Sequence, residues 1–209
     1  MGQTNSNKVV IGVCVIAALA GLLFGLDIAY VNGALEFIVK DFNLTEEQSQ
    51  QIAGVLLAGA AVGALCSGTI SRKFGRKKVL VLAAVIFTAF TIAGLLCHEI
   101  NMFLATRFVI GIAIGIASFV APLYLSEIAP YKIRGALIAM YQLMITIGIF
   151  LMFLSNAALH HTGSWRIMMA VLLIPSIIML IGTLTLPESP RWLALVERSD
   201  ESKKVCCLT

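Results

Sequence analysis

The sequence predicts an all-α transmembrane protein, a bundle of six membrane-spanning helices. Of its 209 residues, 59% are hydrophobic and only 12% charged, about half the ~25% of a soluble domain, and mean hydropathy is +0.96. Six apolar runs of the ~20 residues needed to cross ~30 Å of hydrocarbon follow one another with short polar connections. Basic residues concentrate in the connections of one side. This composition argues against a soluble enzyme, a disordered chain and a nucleic-acid binder.

The runs cover residues 9–35, 50–70, 79–97, 102–123, 136–158 and 167–186. Backbone groups in lipid must be satisfied within their own segment, so each run is expected to be helical. The first resembles a signal peptide in its Lys8 and its Ala18-Leu19-Ala20 stretch. It is too long for a 7–15-residue signal core, however, and five more runs follow. The connection between runs one and two carries Lys40 against Glu36, Asp41, Glu46 and Glu47, whereas that between two and three carries Arg72, Lys73, Arg76, Lys77 and Lys78 with no anion. With Lys8, Lys132, Arg134, Arg191, Arg198, Lys203 and Lys204, twelve of the 15 basic residues fall on one side. The positive-inside rule then places both termini in the cytoplasm. Residues 1–8 are expected as a cytoplasmic N-terminus, 9–186 as the transmembrane domain and 187–209 as a cytoplasmic tail. The basic run also suits nucleic acid or anionic lipid, but its plainer reading is a topology anchor.

Two ionisable residues lie inside the runs, Asp27 in the first and Arg107 in the fourth. An intramembrane charge costs at least ~2.5–3.5 kcal/mol, which makes each a functional candidate. Asp27 is ~28 Å along its helix from Lys8, and Arg107 ~9 Å down its helix from Asn101. Both therefore fall in the outer half of the membrane, within reach of each other. Burial disfavours the charged carboxylate and a guanidinium favours it. Moving one against the other would make Asp27 gain and lose a proton. The alternative is a static ion pair that fixes helix packing.

Gly21 and Gly25, Gly59 and Gly63, and Gly111 and Gly115 each stand four apart on one helix face, spacing that lets helices approach closely. Taken with longer motifs they carry a resemblance. Gly21-Leu22-Leu23-Phe24-Gly25-Leu26-Asp27 resembles the first helix of the sugar-porter family of the major facilitator superfamily. Phe74-Gly75-Arg76-Lys77-Lys78 is similar to its signature loop between helices two and three. Arg107 with Gly111 and Gly115, then Pro122-Leu123-Tyr124-Leu125-Ser126-Glu127-Ile128-Ala129-Pro130 and Arg134-Gly135, are similar to its fourth helix and the loop after it. Pro187-Glu188-Ser189-Pro190-Arg191-Trp192 resembles the motif closing its amino-terminal half. The string Tyr141-Gln142-Leu143-Met144-Ile145-Thr146-Ile147-Gly148-Ile149 is most similar to the family's bacterial galactose–proton and arabinose–proton symporters, with the xylose–proton symporters more distant.

The resemblance implies monosaccharide transport coupled to proton symport in a bacterial inner membrane, with a sugar and a proton as partners and no cofactor, metal or enzymatic activity. Asp27 falls on the family's proton-linked aspartate and Arg107 on its partner. Gln142 falls on a glutamine that hydrogen-bonds sugar hydroxyls, and Phe24, Ile145 and Ile149 on cavity positions. An amide both donates and accepts, as hydroxyls do; the plainer reading of Gln142 is an interhelical hydrogen bond. Arg76, Glu127, Arg134, Glu188 and Arg191 fall on an inner gate of ion pairs between the two halves, against a plainer reading as solvated loop charge. Arg72 departs from the family's usual Asp, which puts that Asp's contact in question.

The family has two six-helix halves with the site between them, and this sequence matches the first alone. The expectation is a split or truncated transporter half, or one that pairs with a second copy or another half, with no sugar uptake by the chain alone. An uncoupled facilitator and a non-transporting helper are the alternatives. Cys14, Cys66 and Cys97 are expected as helix residues, and Cys206 and Cys207 as reduced thiols. The ending Cys206-Cys207-Leu208-Thr209 only formally matches a prenylation box. His160 and His161 are expected in an external loop without metal-ligand companions.

Overall fold

The computed structural model describes residues 2–131 and 133–195, so Lys132, Arg198, Lys203, Lys204 and the cysteine pair lie outside it. Five long helices, α1 (Gly2–Phe42), α2 (Glu46–Phe74), α3 (Arg76–Leu95), α4 (Ile100–Ile128) and α5 (Arg134–Leu159), precede a sixth, broken one formed by α6 (Trp165–Ala170) and α7 (Leu173–Thr185). A short α8 (Pro190–Leu195) follows. All six spans are long and apolar enough to cross a bilayer. This is a multi-pass membrane protein.

Most helix ends extend past the apolar runs because polar residues continue the backbone ladder once outside hydrocarbon, whereas α3 stops at Leu95, two residues short of its run. α1 continues through Glu36 and Lys40, which pair at 2.6 Å one turn apart. It also takes in the residues expected as an N-terminal segment. α2 starts at a capping box, in which Thr45 accepts from the Gln48 N–H and the Gln48 side chain accepts from the Thr45 N–H. That arrangement satisfies two otherwise orphaned donors. The sixth span breaks where Pro175 cannot donate to the Val171 carbonyl, a donor proline always lacks. The Leu172 N–H turns back to Met169 at 3.1 Å instead.

α1 and α4 form the buried centre, while α2 and α5 are the most exposed spans. α5 lies on α1 as α2 lies on α4, and α3 and α7 close the back. The two flanking contacts are built from glycine. A Cβ at Gly25 would fall on the Ile145 carbonyl and one at Gly148 on the Leu22 carbonyl. Between α2 and α4, Gly59 and Gly63 meet the carbonyls of Phe108 and Ile112, and Gly111 and Gly115 those of Leu56 and Ala60. Small residues at this spacing allow backbones to touch. Large apolar side chains such as Leu65, Phe150 and Ile181 face outward, as they should against lipid.

Charge divides the two ends. At the end where α1 meets α2, the cations Lys40 and Arg166 are paired with Glu36 and Asp41. At the other end Arg72, Lys73, Lys77 and Lys78 form no ion pair among the described residues, which leaves that end strongly basic.

Candidate functional site

The helix axes bring Asp27 and Arg107 face to face at the centre. Arg107 Nη1 donates to Asp27 Oδ1 at 2.8 Å, and both side chains are at most 2% exposed. The contact is single-pronged. Asp27 Oδ2 and Arg107 Nε and Nη2 have no hydrogen-bond partner among the described residues. Aromatic faces cover the guanidinium instead, with the Tyr30 ring centroid at 4.5 Å and that of Phe103 at 5.3 Å. A desolvated cation–π contact contributes on the order of 2 kcal/mol. Sequence reasoning missed both rings. The signal was there in helical spacing: Tyr30 stands three residues after Asp27, and Phe103 four before Arg107.

Above the pair, Phe103 meets Trp165 edge-on at 5.2 Å, and Phe42 lies within 6.3 Å of both. The Trp165 indole N–H donates to Asp41 at 2.8 Å, and Arg166 reaches the same carboxylate at 3.2 Å. Asp41 therefore ties the end of α1 to the start of α6 over the aromatic cluster. Asn156 of α5 donates to the Ala29 carbonyl at 3.1 Å, against Gly33. α1 is thus tied to α5 at Ala29 and to α6 at Asp41, both beyond Asp27 along the helix.

The residues expected around a sugar are spread over two surfaces. Phe24 borders a cavity of about 20 Å³ between α1, α3, α4 and α7, lined by apolar side chains. That volume holds no more than a water molecule, and its lining includes none of the three α5 residues. Ile145 is buried against α1 and Ile149 half-buried, but Gln142 is exposed. The Gln142 side chain makes no hydrogen bond within the described residues; only its carbonyl accepts, from Thr146 at 3.4 Å. The interhelical bond that was its plainer reading does not form in this bundle.

At the basic end the motif residues converge. Arg76 donates to Glu127 Oε1 through Nη2 at 2.7 Å and Nε at 3.1 Å, with both side chains nearly buried. The Ser189 hydroxyl donates to the other oxygen of Glu127. Glu188 Oε1 accepts from the Lys77 N–H at 2.9 Å, so a carboxylate 111 residues away along the chain satisfies the first turn of α3. Negative charge there also suits the helix dipole. Gly75 makes the approach possible: its φ is +96°, and a Cβ would lie 2.6 Å from Glu188 Oε2. Tyr124 donates to the Pro187 carbonyl at 2.5 Å, and the Trp192 indole to the Arg72 carbonyl at 2.7 Å. The chain after Leu186 is therefore fastened across the bundle end before residue 196. Arg134 stands apart from this cluster, donating to the Ala129 carbonyl at 3.4 Å, and Arg191 is exposed. Ser189, Tyr124 and Trp192 lie inside the quoted motifs, but their roles follow only from the folded contacts.

Three comparisons bear on this arrangement. The model for the sugar (and other) transporter family matches residues 13–208. The galactose-proton symporter of Escherichia coli K12 is 48% identical over 204 residues, which is 97% of this chain and 44% of the relative. The arabinose-proton symporter of the same organism is 47% identical over 193 residues, 92% of this chain and 41% of the relative. Among solved structures, that of the major facilitator superfamily proton:xylose symporter XylE bound to 6-bromo-6-deoxy-D-glucose superposes with a TM-score of 0.88. It is 28% identical, and the match covers 97% of this chain and 50% of that one. The chain thus spans less than half the length of the curated relatives it matches, and its six helices match half of a major facilitator fold.

Proposed function

This chain belongs to the sugar (and other) transporter family, and from that premise we propose that it carries the proton-linked half of a monosaccharide–proton symporter. The observation that carries the reading is the isolated Asp27–Arg107 pair at the junction of α1 and α4. A carboxylate so placed has one strong partner and is buried from bulk solvent. A small shift of α1 against α4 would change its charge state, which is how a helix movement becomes a proton movement.

Sugar binding in this reading falls to Gln142, with Ile145, Ile149 and Phe24 shaping the wall. An amide at membrane depth that bonds to no neighbouring helix needs a partner from elsewhere, and sugar hydroxyls between this unit and a facing six-helix unit supply one. Arg76, Glu127 and Glu188 form the core of a gate at the basic end, to which Arg134 and the exposed Arg191 would add charge when the facing unit is present, and we assign that end to the cytoplasm of a bacterial inner membrane. The paired cations of the opposite end and the unpaired ones here fit that orientation. Arg76 and Glu127 pair within one unit, so the gate is proposed to meet its counterpart through the remaining surface of the cluster.

The experiment is labelled-monosaccharide uptake into vesicles holding this chain alone, or joined to the second six helices of the galactose relative. The proposal expects uptake only from the joined protein. Concentrative uptake by the unjoined chain would overturn the two-unit reading.

A further inference from the structure

Proton exchange at Asp27 would leave Arg107 charged inside the bundle without an anion, because a guanidinium does not give up its proton. No other acceptor replaces the carboxylate, since Arg107 Nε and Nη2 have no partner among the described residues. The remaining contacts of the cation are aromatic. Tyr30 and Phe103 are fully buried and present their rings to the guanidinium at 4.5 and 5.3 Å. Each shares a helix face with one member of the pair, through i,i+3 spacing on α1 and i,i+4 spacing on α4. The attraction of a ring face for a cation comes from its fixed quadrupole, so it persists whether Asp27 is charged or neutral. Phe103 is itself braced by Trp165, whose indole is fixed to Asp41.

We propose that Tyr30 and Phe103 are positioning residues that hold the Arg107 cation in place while Asp27 is neutral, with Trp165 bracing Phe103. This rests on the reading of Asp27 as the proton site and deepens it. When the carboxylate takes a proton, the cation keeps a second hold that does not titrate, and this offsets part of the cost of losing its anion. Removing that hold should tell most when the carboxylate charge is absent.

A double-mutant cycle on the full chain in detergent, read by thermal unfolding at fixed pH, tests this. Asp27→Asn stands for the neutral aspartate at nearly equal size. Tyr30→Leu and Phe103→Leu should each lower Tm about twice as far in the Asp27→Asn background as in the native chain. Tyr30→Phe, which keeps the ring, should restore most of the loss. Equal losses in the two backgrounds would overturn the proposal, because a purely packing role predicts them. Tyr30→Phe as damaging as Tyr30→Leu would also overturn it, by assigning the effect to the hydroxyl. Should Asp27→Asn not fold, the cycle runs against Arg107→Gln. With no cation present the cost of Tyr30→Leu should fall by about half, and an undiminished cost would refute the cage. No transport is measured, so failure here leaves the proton reading of Asp27 to its own test.

Discussion

Asp27 of α1 and Arg107 of α4, eighty residues apart in the chain, meet through one 2.8 Å ion pair that is closed to solvent on both sides. Attraction in such surroundings is strong, but so is the cost of having removed both charges from water. The pair therefore adds little net stability over two apolar residues of similar size. Losing one partner costs far more than losing both, by about 3–5 kcal/mol for a stranded buried charge. Asp27→Asn should destabilise the chain markedly, and Asp27→Asn with Arg107→Gln should recover much of the loss. Thermal unfolding of the three chains in one detergent checks this; a double variant no better than the single one would contradict it.

The close approach of α1 and α5 depends on the missing side chain at Gly25. Gly25→Ala places a methyl group on the Ile145 carbonyl and should cost about 1–3 kcal/mol through overpacking. Gly54→Ala is the control, since its Cβ would meet nothing within 4 Å. It should be neutral, or stabilising by up to ~1 kcal/mol through helix propensity. A loss at Gly25 no larger than that at Gly54 would contradict the packing account of the α1–α5 contact.

The hold of Glu188 on α3 is local and separable. Glu188→Ala removes the acceptor of the Lys77 N–H, a charge-assisted bond contributing about 1.5–3 kcal/mol. Hydrogen exchange at the Lys77 amide should quicken by roughly ten- to a hundredfold, while amides in the middle of α4 keep their protection. Uniform acceleration across the bundle would mean that the substitution weakens the whole fold instead.

Much of this was legible in the residues because a membrane leaves few choices. Six apolar runs could only be helices, and two charges such as Asp27 and Arg107 in those runs could only be tolerated if paired. What was not legible depended on three-dimensional accidents of side-chain reach. Tyr30 reads as one more apolar residue in α1 until its ring is seen on Arg107. Asp41 reads as loop charge until Trp165 and Arg166 converge on it. The stretch from Pro187 onward reads as a departing tail, and only the bonds of Tyr124, Glu188 and Trp192 show that it is strapped across the bundle. The break at Pro175 was open to a reading from proline chemistry, yet the apolar run passes over it without interruption.

The sugar-binding role proposed for Gln142 is separable from stability. It is exposed and its side chain bonds to nothing in the described bundle, so Gln142→Ala should leave unfolding within about 0.5 kcal/mol of the native chain. In a protein completed with a second six-helix unit, the same change should weaken monosaccharide binding by roughly tenfold, the value of one good hydrogen bond. Unchanged sugar affinity would remove Gln142 from the site.

The most direct measurement is sugar-driven proton movement. Vesicles holding this chain joined to the second half of the galactose relative would be given sugar, and external pH recorded as the sugar enters. The account predicts an alkaline shift that Asp27→Asn abolishes while counterflow of labelled sugar continues. Proton movement that survives Asp27→Asn unchanged would contradict it, and the Asp27–Arg107 pair would then be a matter of helix packing alone.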